Sequence, residues 1–489
     1  MKNQDFSHAN LCLQNMKISD FHAQSLQVLK KGMVIIMQLK DKKVLVFGAA
    51  KSGISATRLL QKQGAFVVLY DANTKFTKYD FVNEFETEHN FMLVTGDFPV
   101  DMIKSIDLLV LSPGIPTDLP VVEQVRAEGV PIWGEIELAY RFFKGKVIGI
   151  TGTNGKTTTT SLVGDIMKTY YDEVYVVGNI GNPYTDIAME ASEKSVTVIE
   201  LSSFQLETIQ EFKPDVSAIL NITPDHLNRH HTMENYIQMK ENVATNQTPS
   251  EICVLNYEDE VLRKMAERLH TSVMFFSSAR ELENGLYLDG EDIIYSVDDD
   301  KYLVCNVNEL KIFGKHSYEN VMAGVAIAIA MGVPMELIKK AITSFVAVEH
   351  RIEFVETING VTYYNDSKGT NPDASIKAVQ SMKGPTIVIG GGYDKHNEFD
   401  EWIDSFDGKV KYLVLLGQTR DKIAETARRH GFHNIIMVED LKEAVRISAQ
   451  KAQSGDAVLL SPACASWGMF ENYEQRGRLF KEYVREMLK

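Results

Sequence analysis

The sequence predicts an α/β protein of three domains, each an open, mostly parallel sheet covered by helices. Three observations predict it. The chain has 489 residues, about three times the ~150 of an average domain. Strand-like runs alternate with helical stretches along most of it, the pattern of βαβ units. The most distinctive strand-like runs end on Gly-rich or small-residue turns, where open α/β sheets bind ligands.

Composition narrows the class. Lys plus Arg is 51 against 66 Asp plus Glu, a formal net charge of −15. Nucleic-acid binding needs clustered cations on phosphates, so no nucleic-acid partner is expected. Apolar residues make up 44%, enough for several cores, which excludes disorder for most of the chain. The four cysteines, Cys12, Cys253, Cys305 and Cys464, have neither metal nor redox spacing, which fits a reducing cytoplasm. The longest uncharged apolar stretch, Val321–Met335, is shorter than the ~20 residues of a membrane span and reads as a buried helix. No pattern specifies an assembly, and a monomer is favoured.

Residues 1–36 are rich in Gln, Asn, Ser and His and lack an apolar signal core. They read as a disordered extension. Residues 37–144 form the first domain. Strand Val44–Phe47, the turn "GAAKSG", helix Ile54–Gln63 and strand Phe66–Tyr70 make a βαβ unit closed by Asp71. A further strand, Leu108–Leu111, ends at "SPGIP". "FGAAKSG" is not the dinucleotide fingerprint. Ala50 stands where the second Gly would let a pyrophosphate approach, which argues against a nicotinamide oxidoreductase.

Residues 145–343 form the second domain. Strand Val147–Ile150 opens it and residues 281–313 read as an antiparallel flap. After the first strand comes "GTNGKTTTT", then a helical stretch, a P-loop-type arrangement. Backbone N–H groups of Gly152, Thr153, Asn154 and Gly155, with the helix start at Thr157 and Thr158, suit phosphate oxygens. Lys156 reaches the terminal phosphates and Thr157 faces Mg²⁺. The loop is shorter than the strict pattern, with Ile150 where the first Gly is usual. Glu200 ends "VTVIE" and His226 follows "AILNITPD", both at the same sheet edge. Taken alone, Glu200 can also be read as a capping or solvated carboxylate and His226 as a satisfied loop histidine.

Residues 344–489 form the third domain. "TIVIGG", "KYLVLLG" and "AVLLSPA" each finish at a small-residue turn.

"TGTNGKTT" resembles the nucleotide loop of the Mur ligases and their folylpolyglutamate synthase relatives, three-domain ATP-dependent amide ligases. "ELSSFQLE" and "NITPDHLNRH" resemble the family segments that carry Mg²⁺ ligands and a catalytic His, which implies those roles for Glu200 and His226. The resemblance implies a carbamylated Lys240 as a further metal ligand and Asn179 of "GNIG" at the acceptor substrate. Asn320 of "GKHSYENVMAG" falls on the adenine side, where Ser317 replaces a frequent Asn. Arg351 matches the hinge Arg that reaches the γ-phosphate, and Asp366 joins the ATP set. In the first domain Gly48, Lys51, Ser52, Gly53, Ser112 and Gly114 resemble the uridine-nucleotide loops of the D-glutamate-adding branch, with Asp71 near uracil or ribose. In the third, "NDSKGTN", "GGGYDK" and "SPACASWGMFENYEQRG" resemble that branch too, implying Lys368, Thr370, Lys395, Ser466 and Tyr473 at D-glutamate. Gly468 stands where an Asp is common.

The implied reaction joins D-glutamate to UDP-N-acetylmuramoyl-L-alanine, with ATP and Mg²⁺ as cofactors, through an acyl phosphate. A folylpolyglutamate-synthase-like ligase and a non-catalytic nucleotide-binding regulator are the alternatives. The "FGAAKSG" domain argues against the first, and Glu200, His226 and Lys240 together against the second.

Overall fold

The computed structural model describes residues 39–81, 84–85, 90–312, 314–346 and 349–488. The extension expected over residues 1–36 lies outside them. Three sheets follow one another along the chain. The first contains β1 (Lys43–Phe47), β2 (Phe66–Asp71), β3 (Phe91–Thr95), β4 (Leu108–Leu111) and β5 (Ile132–Gly134). Their order is β3-β2-β1-β4-β5, and every pairing is parallel. Strands covered on both faces must be apolar throughout: β4, "LLVL", is buried at all positions. Helix α1 (Lys51–Lys62) begins three residues before the helix read from the sequence. Gly48, at φ +103°, turns the chain early enough to put Lys51–Gly53 in the first helical turn.

The second sheet contains β6 (Lys146–Thr151), β7 (Val174–Gly178), β8 (Val196–Glu200), β9 (Val216–Ile219), β10 (Ile252–Asn256), β11 (Ser272–Ser277), β12 (Gly285–Asp289), β13 (Asp292–Val297) and β14 (Asp300–Asn306). Their order is β14-β13-β12-β11-β10-β9-β6-β8-β7. The stretch read as a flap is antiparallel over β12–β14, but β12 pairs in parallel with β11, so it extends the main sheet. Helix α2 (Lys156–Lys168) follows β6. Short helices α3 (Ser203–Leu206) and α4 (Leu227–His230) follow β8 and β9, and α5 (Met233–Glu241) comes next. Helix α6 (Lys315–Ala330) is buried from Val321 to Ile329. It packs on α2 at Gly324, where a Cβ would stand 3.0 Å from Leu162.

The third sheet contains β15 (Glu353–Ile358), β16 (Val361–Asn365), β17 (Thr386–Gly390), β18 (Val410–Leu415), β19 (Ile435–Met437) and β20 (Ala457–Leu460). Its order is β15-β16-β20-β17-β18-β19, antiparallel only at β15. Helices α7 (Pro372–Ser381) and α8 (Tyr473–Glu486) flank it.

The chain divides into two compact units. One runs to Asn306 and takes in Glu319–Thr343; the other comprises Val307–Tyr318 and the chain from Ser344 on. In the first unit Trp133 and Ile136 share a core with Tyr184, Leu206 and Phe212, so the first two sheets are welded by apolar packing. In each sheet the strand order runs outward to both sides from one strand: β1, β6 and β20. Crevices open at such switch points.

Candidate active site

Beyond β6 the chain turns through Gly152 (φ +144°) and Gly155 (φ +87°) into α2. A Cβ on Gly155 would stand 2.3 Å from Asn320 Oδ1, so this position needs glycine. Asn221 holds the loop: its carbonyl accepts Thr153 N–H and its Oδ1 accepts Asn154 N–H, each at 2.9 Å. Thr153 Oγ1 meets Tyr236 Oη at 3.0 Å. Thr157 and Thr158 are buried in the first turn of α2. Lys156 Nζ folds back over the loop and donates to the carbonyls of Gly152 and Thr153, both at 2.8 Å.

Lys240, on α5, is fully buried and donates to the same Gly152 carbonyl at 2.8 Å. Burial, and then the Lys156 charge, hold its pKa well below the usual lysine range. At the end of β8, buried Glu200 accepts Asn179 Nδ2 on Oε1 at 2.8 Å. Its Oε2 is buried and has no hydrogen-bond partner among the described residues. A buried unsatisfied carboxylate oxygen is costly unless a cation meets it. Hard oxygen donors suit Mg²⁺, so Glu200 and the Thr157 hydroxyl fit that ion. His226 stands at the N-cap position of α4 in a left-handed conformation (φ +53°), is exposed and meets Phe204 edge-on at 4.9 Å. Its Nε2 lies 3.6 Å from Asp225 Oδ2.

At the β1–β4 switch, Ser112 Oγ donates to Gly48 O at 3.2 Å. Gly53 packs so tightly that a Cβ would stand 1.7 Å from Gly48 O. Asp71 accepts Ala49 N–H on Oδ2 (2.8 Å) and Asn73 N–H on Oδ1 (2.9 Å), so it organises the loop itself. Lys51 Nζ donates to Gly181 O at 2.6 Å and Asn182 Oδ1 at 3.2 Å, in the loop after β7. Ser52 is partly exposed, and Gly114 is exposed with open space around it.

In the second unit, the loops after β16, β17 and β20 meet. Asp366 accepts Ser461 Oγ at 2.8 Å and pairs with Arg351 Nη1 at 3.7 Å. Burial pushes its pKa up to about 6, against the pull of Arg351. Lys368 lies over the Tyr473 ring at 5.5 Å, and Lys395 over Trp467 at 5.7 Å. Ser466 is buried, and the Thr370 N–H donates to Lys368 O at 2.9 Å. Gly468 has φ +81°, a left-handed conformation that favours glycine. Ser317 Oγ is 3.3 Å from His316 Nε2. Glu349, His350 and Glu353 form the one group of three such ligands within metal reach among the described residues. Lys481 pairs with both of its carboxylates.

Some residues in these networks carried no legible signal. Asn221 opens the segment quoted for His226, and Tyr236 precedes Lys240 on α5; only the fold shows that they grip the phosphate loop. Buried Arg476 donates to Ser367 Oγ, Ser367 O and Cys464 O. Burial lowers its pKa to about 10. Its own motif, "NYEQRG", was the available clue.

Three strand-end loop sets at three switch points, one of them a phosphate loop beside a buried lone carboxylate oxygen, define a nucleotide-using enzyme. Three family models match consecutive stretches: a MurD-like N-terminal domain over residues 42–134, the Mur ligase middle domain over 150–328 and the Mur ligase glutamate ligase domain over 350–464. The chain belongs to the Mur ligase family. It is 58% identical over 448 residues to the UDP-N-acetylmuramoylalanine--D-glutamate ligase of Lachnoclostridium phytofermentans, covering 92% of this chain and 99% of that one. The enzyme of the same name from Clostridioides difficile is 48% identical, covering 92% and 100%. Among solved structures, UDP-N-acetylmuramate-alanine ligase MurC from Thermotoga maritima matches with a TM-score of 0.58 at 20% identity, covering 91% and 99%. That likeness supports the fold alone. No helix among the described residues is long and apolar enough to cross a membrane.

Proposed function

We propose that the chain joins D-glutamate to UDP-N-acetylmuramoyl-L-alanine at the expense of ATP, giving ADP and phosphate, a step of peptidoglycan precursor synthesis. The observation that carries it is the phosphate loop, with Lys156 and the start of α2 beside the lone oxygen of Glu200. The identity of the amino acid rests on the relatives' shared name and length. The MurD-like first domain disfavours a folylpolyglutamate-synthase-like enzyme.

A carboxylate is a poor acyl donor at neutral pH. Phosphoryl transfer from ATP makes an acyl phosphate, the D-glutamate amine attacks its carbonyl carbon, and phosphate leaves. Lys156 and the loop N–H groups neutralise charge on the transferring group, where catalysis has most to gain. Glu200, Thr157, His226 and carbamylated Lys240 are the residues that would hold Mg²⁺, which supplies further neutralisation of phosphate charge when bound. Asn320 packs at the loop, on the adenine side; Arg351 serves the γ-phosphate, and Asp366 belongs to the ATP set. Gly48, Lys51, Ser52, Gly53, Asp71, Ser112, Gly114 and Asn179 belong to the UDP-substrate set. Of these, Asp71 acts by shaping the loop. Lys368, Thr370, Lys395, Ser466 and Tyr473 take D-glutamate, whose two carboxylates need cations and donors.

Phosphate release from ATP tests the reading. It should require the UDP-sugar and D-glutamate together, and L-glutamate should be a poor substitute, because a misplaced carboxylate leaves buried donors unpaired. Equal kcat/KM for the two enantiomers would reject the assignment.

A further inference from the structure

His226 stands at the start of a one-turn helix, and a charge cluster unused by the mechanism above holds that turn. The His226 carbonyl accepts the N–H of Arg229 at 2.9 Å and of His230 at 3.1 Å. The α4 turn therefore dictates where the His226 ring can stand. Arg229 lays a two-pronged fork on Glu207: Nε to Oε1 at 3.0 Å and Nη2 to Oε2 at 2.7 Å. Both side chains are largely buried, 13% and 7% exposed. His230 Nε2 lies 2.9 Å from Ser203 Oγ, and its Nδ1 lies 3.5 Å from Glu207 Oε1. Burial, then neighbouring charged groups, lower the His230 pKa to about 4, so it is neutral at pH 7.

Phe204 is the shared floor. The His226 and His230 rings and the Arg229 guanidinium pack on it at 4.9, 5.5 and 5.1 Å. Arg229 Nη2 also donates to Ile115 O at 2.8 Å, in the loop after β4. Ser112, Ile115, Phe204 and Glu207 line one small cavity.

We propose that Glu207 and Arg229 form a positioning clasp for the ligase reaction. Glu207 orients Arg229, and Arg229 fixes the α4 turn that presents His226 and ties it to the Ser112–Ile115 loop. The proposal rests on the ligase reading above. A buried ion pair is often no more stabilising than apolar packing of equal volume, so stability alone does not account for it. Three acceptors on two segments need the planar fork of arginine, which lysine lacks.

Glu207→Gln, Arg229→Lys and the double variant test it by steady-state kinetics. Each single change should lower kcat at least ten-fold and leave KM for ATP within two-fold. Arg229→Lys should also raise KM for UDP-N-acetylmuramoyl-L-alanine, since it loses Ile115. The double variant should be no worse than the worse single one, because either change opens the clasp. A second readout needs no turnover. The ring-proton NMR resonance of His226, identified by its loss in His226→Gln, should move in both single variants as Phe204 packing is released. Unchanged kcat, or a kcat loss that vanishes well below the variant's melting temperature, overturns the clasp. So does an unmoved resonance. If the wild type shows no UDP-sugar-dependent phosphate release, the ligase reading fails, and the resonance alone decides whether the pair positions His226.

Discussion

Lys156 and Lys240 converge on one carbonyl, Gly152 O, each at 2.8 Å. Two ammonium groups cannot share a buried acceptor cheaply, and Lys240 is the one that yields, because burial is complete there. A neutral amine attacks CO₂, forming an N–C bond and releasing a proton, and leaves an anionic carbamate with two oxygens that a hard cation accepts. Activity should therefore fall in CO₂-depleted buffer and return with bicarbonate. Lys240→Ala should be nearly inactive and partly rescued by a short carboxylic acid. Lys240→Arg should stay inactive, and high activity in that variant would exclude the carbamate. Lys156 is the residue proposed to act on phosphate. Lys156→Ala should lose about 10²–10³ in kcat, the scale of one removed oxyanion donor, with an unchanged circular dichroism spectrum. Wild-type rates in that folded variant would remove Lys156 from the phosphoryl-transfer step.

At the scale of elements, β6, its loop and α2 were readable because one short sequence holds strand, turn and helix start together. The strand ends Glu200 and Ser112 were readable for the same reason. What joins those ends was not. Asp366, Ser461 and Ser375 form one buried network, with Ser461 Oγ 2.9 Å from Ser375 Oγ, yet they lie on three separate segments. The Glu207–Arg229 clasp and the Arg476 contacts likewise depend on packing that no local pattern encodes. Gly155 tests the loop as an element. Its left-handed φ and the Asn320 contact mean that Gly155→Ala should raise KM for ATP at least ten-fold. An unchanged KM would show that the loop tolerates a rearranged turn. Where β5 passes into the next helix, Glu135 is fully buried, accepts the N–H and hydroxyl of Thr185, and has its pKa pushed up by burial from 4.5 to about 7. The folded state then holds a proton that the unfolded chain releases above pH 4.5. The stability this gives is complete below pH 4.5 and is lost as pH rises through 7, on the order of 3 kcal/mol in all. Glu135→Gln mimics the protonated form. It should raise the urea midpoint at pH 8 and change it little at pH 4. Equal shifts at both pH values would refute a protonated Glu135.

The chain folds into two compact units, and the residues proposed for its substrates are found in both. The first unit carries the phosphate loop, Asn320 and the β1–β4 loops, and its two sheets share a core. The second has its own cores, one around Trp402 and Leu413 and another around Phe480 and Val458, and carries Lys368, Lys395, Ser466 and Tyr473. Helix α6 belongs to both, since the division falls between Tyr318 and Glu319. A ligand that binds only the folded form of one body stabilises that body by RT ln(1 + [L]/Kd), about 2.7 kcal/mol at a hundred-fold excess over Kd. Calorimetry should thus resolve two thermal transitions. UDP-N-acetylmuramoyl-L-alanine should raise the one belonging to the first unit, and D-glutamate the other. Lys156→Ala should spare both responses, and Lys368→Ala should abolish the D-glutamate response alone. A single transition that either ligand moves equally would mean that the shared helix couples the two bodies into one cooperative unit, with each ligand stabilising the whole chain.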